Sequence, residues 1–222
     1  GLLPVPAAAA PTLATAVTVG GKTLNASNPY ATTDASTGAV ALGGDEGTYN
    51  VKFDAATGTL TLRNANINSS GYAISSENVL TVVAVGTNAV AASGFYQTMY
   101  LTSGNLTLKG SGALTVVSNQ TVAVKASNIT VKDSITLTAV GGTASGLPGG
   151  WGFEAFNDMV IKDSARVTAL GGASNSSAAA TLPGSAGIQA GTSVTIEDSA
   201  TVTAVGGDTT GGGYSAGICT AA

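Results

Sequence analysis

Ile129-Thr-Val-Lys-Asp-Ser-Ile-Thr-Leu-Thr-Ala-Val-Gly-Gly142 is followed by two near copies of itself. The second runs Met159-Val-Ile-Lys-Asp-Ser-Ala-Arg-Val-Thr-Ala-Leu-Gly-Gly172, and the third Val194-Thr-Ile-Glu-Asp-Ser-Ala-Thr-Val-Thr-Ala-Val-Gly-Gly207. Each copy is two short strands of alternating apolar residues, broken by a polar Asp-Ser corner and closed by Gly-Gly. The period is 2 throughout, so an amphipathic helix of period 3.6 has no support. β-Branched residues dominate the apolar positions, as a pleated, half-buried surface prefers. Recurrence at intervals of about 20 to 50 residues marks a stacked solenoid.

The first strand of the phrase can be traced back to Leu60-Thr-Leu62, Leu80-Thr-Val82 and Leu106-Thr-Leu108. Successive starting positions then differ by 20, 26, 23, 30 and 35 residues, which gives six coils, with a seventh expected to start at Gly217. A second recurrent strand precedes the first, as in Ala73-Ile-Ser-Ser76, Gly152-Phe-Glu-Ala155 and Gly187-Ile-Gln-Ala190. The third carries Ile135 and Leu137, then Ala165 and Val167, then Ala200 and Val202. Three strands and three corners per coil predict a three-sided solenoid whose coils stack about 4.8 Å apart. The extra residues of the long coils always follow the Gly-Gly: Thr143 to Gly150, Ala173 to Ser185, and Asp208 to Gly213. All three insertions leave the same corner, and such clustering on one face often marks a binding side.

Residues 1–16 contain Pro4, Pro6, Pro11 and an alanine run. The prolines forbid a regular helix or central strand, so this stretch is read as a disordered linker or the remnant of an export signal. Residues 17–222 are read as one β-helix domain. Within it, 17–58 form an amino-terminal β cap that covers the first coil, and 59–222 form the coils. An uncovered coil at Ala222 would be an exposed sheet edge, so the chain is expected to continue or to associate end to end.

Composition narrows the function classes. Charged residues are 9% of the chain, against about 25% in a typical domain. A surface of hydroxyls and small groups suits an extracellular or wall-attached protein. The net charge of −4 with eight Lys plus Arg argues against nucleic acid, which requires clustered basic residues. Histidine is absent, and with it the commonest general base and metal ligand. The single cysteine, Cys219, cannot form an intrachain disulfide. No apolar stretch approaches the roughly 20 residues that span a bilayer.

Asp133, Asp163 and Asp198 occupy equivalent positions and should stack. Their repulsion could be relieved by Ca²⁺, which favours several oxygen ligands. The competing reading is a corner in which each Asp bonds its own backbone, with Lys132 and Lys162 offsetting the charge. On the outward row, Ser75, Glu154, Gln189 and Cys219 are expected to face solvent near Lys125. Trp151 and Tyr214 lie just upstream, and Asp208 lies in an insertion. An aromatic plane beside amide and carboxylate groups holds sugars by stacking and hydrogen bonding, so Trp151, Glu154, Gln189, Tyr214 and Asp208 form the expected carbohydrate site. The alternative is a polar sheet face with Trp151 packed under its own loop. Glu154 with Asp158, joined by Asp208, is the nearest approach to a catalytic carboxylate pair. Arginine and lysine are too scattered to handle a uronate, and no catalytic residues are assigned.

Two stretches resemble a group of bacterial cell-surface β-helix proteins described as carbohydrate-binding-domain-containing, within the pectate-lyase-like class. One is Val51 to Asn64; the other is the ladder of Gly-Ile-x-Ala strands followed by Leu106-Thr-Leu-Lys-Gly-Ser-Gly112. The resemblance covers residues 17–222 and implies secretion and contact with polysaccharide or cell-envelope glycan. The expectation is therefore an all-β, right-handed parallel β-helix acting as a secreted or cell-surface, non-catalytic polysaccharide-binding protein. The alternatives are a structural or adhesive stalk with a protein partner, and a polysaccharide lyase or hydrolase.

Overall fold

The computed structural model describes residues 11–143, 150–175, 184–210 and 213–220. All its regular elements are strands. Five come first: β1 (Ala16–Val19), β2 (Lys22–Asn25), β3 (Tyr30–Thr33), β4 (Val40–Leu42) and β5 (Val51–Asp54). Six coils of three strands follow. They are β6 (Thr59–Arg63), β7 (Asn66–Ser69) and β8 (Ile74–Ser76); β9 (Leu80–Val85), β10 (Thr87–Ala92) and β11 (Met99–Leu101); and β12 (Leu106–Gly110), β13 (Ala113–Ser118) and β14 (Val124–Ala126). The later coils are β15 (Ile129–Val131), β16 (Thr136–Val140) and β17 (Phe153–Ala155); β18 (Asp158–Ile161), β19 (Arg166–Leu170) and β20 (Ser185–Ala190); and β21 (Ser193–Ile196), β22 (Thr201–Val205) and β23 (Ser215–Thr220).

Strands of one kind stack into parallel sheets, so the chain is a parallel β-solenoid of six coils. The first sheet runs from β6 to β21, the second from β7 to β22 and the third from β8 to β23. Gly217, expected to open a seventh coil, lies in β23, which pairs with β20 and closes the sixth. The amino-terminal strands are antiparallel: β1 pairs with β2 and with β8, and β5 pairs with β3 and with β6. Part of the stretch read as linker is also paired. Leu13 forms a parallel bridge with Val79, and the Ala14 N–H donates to the Val79 carbonyl at 2.9 Å.

One continuous core fills the solenoid, built as columns with one side chain per coil. Leu60, Val82, Leu108, Val131 and Ile161 form one inward column, and Ile74, Met99, Val124, Phe153 and Ile188 another. Each is at most 1% exposed. One column holds an exception: Asn88 stands in register with Leu114, Leu137 and Val167, and it is buried too. Its Oδ1 accepts from the Ala65 N–H at 2.9 Å, and its Nδ2 donates to the Val85 and Ala113 carbonyls, each at 3.1 Å.

The corner between the first and second sheets has a common device. Every coil turns there through a positive φ: Asn64 (49°), Gly86 (69°), Gly110 (118°), Asp133 (63°), Asp163 (58°) and Asp198 (56°). Gly enters this region freely, and Asn and Asp are the side-chain-bearing residues that tolerate it best. The aspartates do not chiefly bond their own backbone, as the Asx reading expected. The Asp133 N–H donates to Asp163 Oδ2 at 2.9 Å, and the Asp163 N–H donates to Asp198 Oδ2 at 3.1 Å. The Asp163 and Asp198 carboxylates thus each satisfy a backbone N–H of the coil before, which offsets the repulsion of stacked charges. Asp163→Asn keeps both the left-handed tolerance and an acceptor, so it should change stability by under about 0.5 kcal/mol. Asp163→Ala loses both and should cost about 1–2 kcal/mol in urea denaturation. Calcium should leave the wild-type melting temperature unchanged; a rise that Asp163→Asn abolishes would restore the metal reading.

The Gly-Gly pairs are not left-handed turns, since none of Gly141, Gly142, Gly171, Gly172, Gly206 and Gly207 has a positive φ. They permit close stacking instead. A Cβ on Gly141 would lie 2.5 Å from the Gly150 carbonyl oxygen, and one on Gly207 would lie 2.5 Å from the carbonyl oxygens of both Gly171 and Gly172. These corners hold the backbones of successive coils against one another with no room for a side chain.

Candidate functional site

The outward row of the third sheet reads Thr18, Ser75, Tyr100, Lys125, Glu154, Gln189 and Cys219 in register. The row expected from sequence is therefore present, but its exposure is not the expected one. Glu154 and Gln189 are 8% and 5% exposed, and Trp151 is 5% exposed. Trp151 packs in a small second cluster with Val122 and Ala186, against Ala216. It is buried and offers no open ring face, and the loop of the alternative reading, 144–149, lies outside the described residues. Tyr214 is exposed, with its hydroxyl 3.5 Å from Cys219 Sγ. Asp208 is exposed, and its carbonyl accepts from the Ser174 N–H. The insertions all leave the corner between the second and third sheets, but 144–149, 176–183 and 211–212 lie outside the described residues.

Glu154 pairs with Lys125, Nζ to Oε2 at 2.8 Å, and Lys125 Nζ stands 4.7 Å from the Phe156 ring centroid. Burial pushes the Glu154 carboxyl above its ordinary value, and Lys125 pulls it back only in part. A buried carboxyl with a raised pKa has one attribute of a general acid. Its row neighbours, however, are a lysine and a glutamine. Asp158, the other member of the pair considered from sequence, accepts from Ser193 Oγ at 2.7 Å. It belongs to a polar ladder at the third corner, where Asn128 Nδ2 donates to Asn105 Oδ1 and the Asp158 N–H donates to Asn128 Oδ1. Among the described residues, no group of three or more Asp, Glu or Cys is placed to hold a metal ion, and no helix is long and apolar enough to cross a membrane.

The amino-terminal half of the same face carries a constellation that the sequence reading missed. Tyr72 stacks on Tyr100 with centroids 5.2 Å apart and planes at 25°, and it meets Tyr96 edge-on at 5.0 Å and 69°. Tyr96 and Phe95 are exposed, Phe95 by 78%. Tyr72 and Tyr100 line a cleft of about 430 Å³ with Ser75, Glu77, Asn78 and Thr102, walled by β1. A second cleft of about 590 Å³ shares Thr18, Tyr72 and Ser75 with the first and extends past Gly20, Gly21 and Lys22. The two clefts adjoin at these shared residues and are together called the groove. The signal in the sequence was faint: Tyr72 and Phe95-Tyr96 sit in the loops that lead into β8 and β11. Only the stacking of those coils brings them together with Tyr100.

Comparison with family models, with curated proteins and with solved structures returned no match to this chain.

Proposed function

We propose that this protein is a secreted or cell-surface β-helix protein that binds polysaccharide without acting on it. The observation that carries the reading is the tyrosine trio beside the groove. Aromatic faces with adjacent hydroxyl, amide and carboxylate groups match the apolar faces and hydroxyl edges of a sugar ring. Two adjoining clefts suit a linear chain better than a single sugar. The resemblance to carbohydrate-binding β-helix proteins and the low charge content support the same reading. In this proposal the coils are right-handed and β1 to β5 serve as their cap.

A second reading, a structural or adhesive stalk with a protein partner, is favoured by the outward face of the second sheet. There Thr115, Thr138, Thr168 and Thr203 form one column, and Val117, Val140, Leu170 and Val205 another. Affinity electrophoresis against a panel of neutral, amino and acidic polysaccharides separates the two. Retardation in at least one gel is expected, and Tyr100→Ala should weaken it about tenfold, or about 1.4 kcal/mol, at the upper end of what an aromatic contact contributes. Equal retardation of wild type and Tyr100→Ala would remove the groove from the site. Reducing or unsaturated ends released from the panel would instead indicate a hydrolase or lyase.

A further inference from the structure

We infer that the groove selects glycans carrying free amines over glycans carrying carboxylates. The inference rests on the polysaccharide-binding reading and names the ligand class within it. Glu77 is the charged side chain among the residues lining the first cleft, and it is exposed. Tyr72 and Tyr100, both partly exposed, line the same cleft, and the negative π faces of aromatic rings attract cations. Ser75, Asn78 and Thr102 supply neutral hydrogen-bonding groups on the same walls. Lys125 is in register with Tyr100 on the next strand. It is engaged twice already, by Glu154 at 2.8 Å and by the Phe156 ring at 4.7 Å, so little of its charge is available to a carboxylate ligand. Lys22 lines the other cleft, beyond Tyr72. The chain's net charge of −4 adds a long-range bias in the same direction. An ammonium group in the first cleft therefore finds a carboxylate and aromatic rings among its walls, whereas a uronate there meets the like charge of Glu77.

Three hexamers of matched length test this by titration calorimetry in mildly acidic buffer: glucosamine, N-acetylglucosamine and galacturonate. The glucosamine hexamer should bind about fivefold more tightly than the acetylated one, the combined effect of an exposed ion pair and an exposed cation–π contact. The ratio should shrink as salt is raised. Glu77→Gln should bring it close to one, and because Glu77 is exposed the variant should fold normally, as its melting temperature will show. Equal binding of the two amino-sugar hexamers, or tightest binding of galacturonate, would overturn the selection while leaving glycan binding in place. Failure of all three to bind, with no glycan retained in the electrophoresis panel, would overturn both.

Discussion

Asn88→Ala is expected to destabilise the solenoid by about 3 kcal/mol, although it removes a polar side chain from an otherwise apolar column. The Asn88 amide satisfies three backbone groups at once: the Ala65 N–H and the carbonyls of Val85 and Ala113. These belong to three successive coils, so one side chain ties the first, second and third together. Truncation removes this partner from the Ala65 N–H and the Ala113 carbonyl, each such loss costing about 1–3 kcal/mol before relaxation, whereas the Val85 carbonyl keeps the Asn64 N–H at 3.2 Å. Asn88→Leu is the sharper control. It matches Leu114 and Leu137 of the same column and fills the volume, yet still removes all three hydrogen bonds. Urea denaturation should place Leu near Ala, and amide hydrogen exchange at Ala65 should accelerate in both. A leucine variant as stable as wild type would mean that packing, and not the amide, holds this rung.

Gly172→Ala should cost a similar amount, about 2–3 kcal/mol, for the opposite reason: one methyl too many in a close-packed place. Its Cβ would meet the carbonyl oxygen of Gly142 and lie 2.5 Å from that of Gly141. These are backbone atoms, which cannot rotate away as a side-chain tip can. The strain should fall between the fourth and fifth coils, where Gly172 also donates its N–H to the Gly150 carbonyl at 2.7 Å. Gly21→Ala is the useful contrast, because no atom lies within 4 Å of its Cβ position and its cost comes from a φ of 76° alone. Thermal melts showing Gly172→Ala no less stable than wild type would refute the close-stacking account of the Gly-Gly pairs.

The solenoid itself was legible because a coil is a local object. Each strand's period-2 alternation, each Asp-Ser corner and each Gly-Gly recur in the chain at the spacing at which they recur in space. The register followed directly, so that Asp133, Asp163 and Asp198 stack as their alignment implies. Exposure was less legible. Glu154 and Gln189 hold their expected places in the outward row but are buried, and alternation cannot report what packs over the outside of a sheet. Trp151 was read as a stacking platform because it is an aromatic beside polar residues. The fold turns it into a small cluster with Val122 and Ala186, which lie 29 and 35 positions away in the chain.

What the sequence by itself determined is the repeat: three strands per coil, six coils, an Asp-Ser corner in the last three, and insertions that all leave one corner. Those features depend on backbone preference and on the alternation of neighbouring side chains, both of which operate within a few residues. The tertiary structure alone decided which groups share a place. It set the Tyr72–Tyr96–Tyr100 cluster over its groove, the Lys125–Glu154 pair, and the tie that Asn88 makes across three coils. Each joins residues from different coils, and only the stacking of one coil on the next brings them within reach.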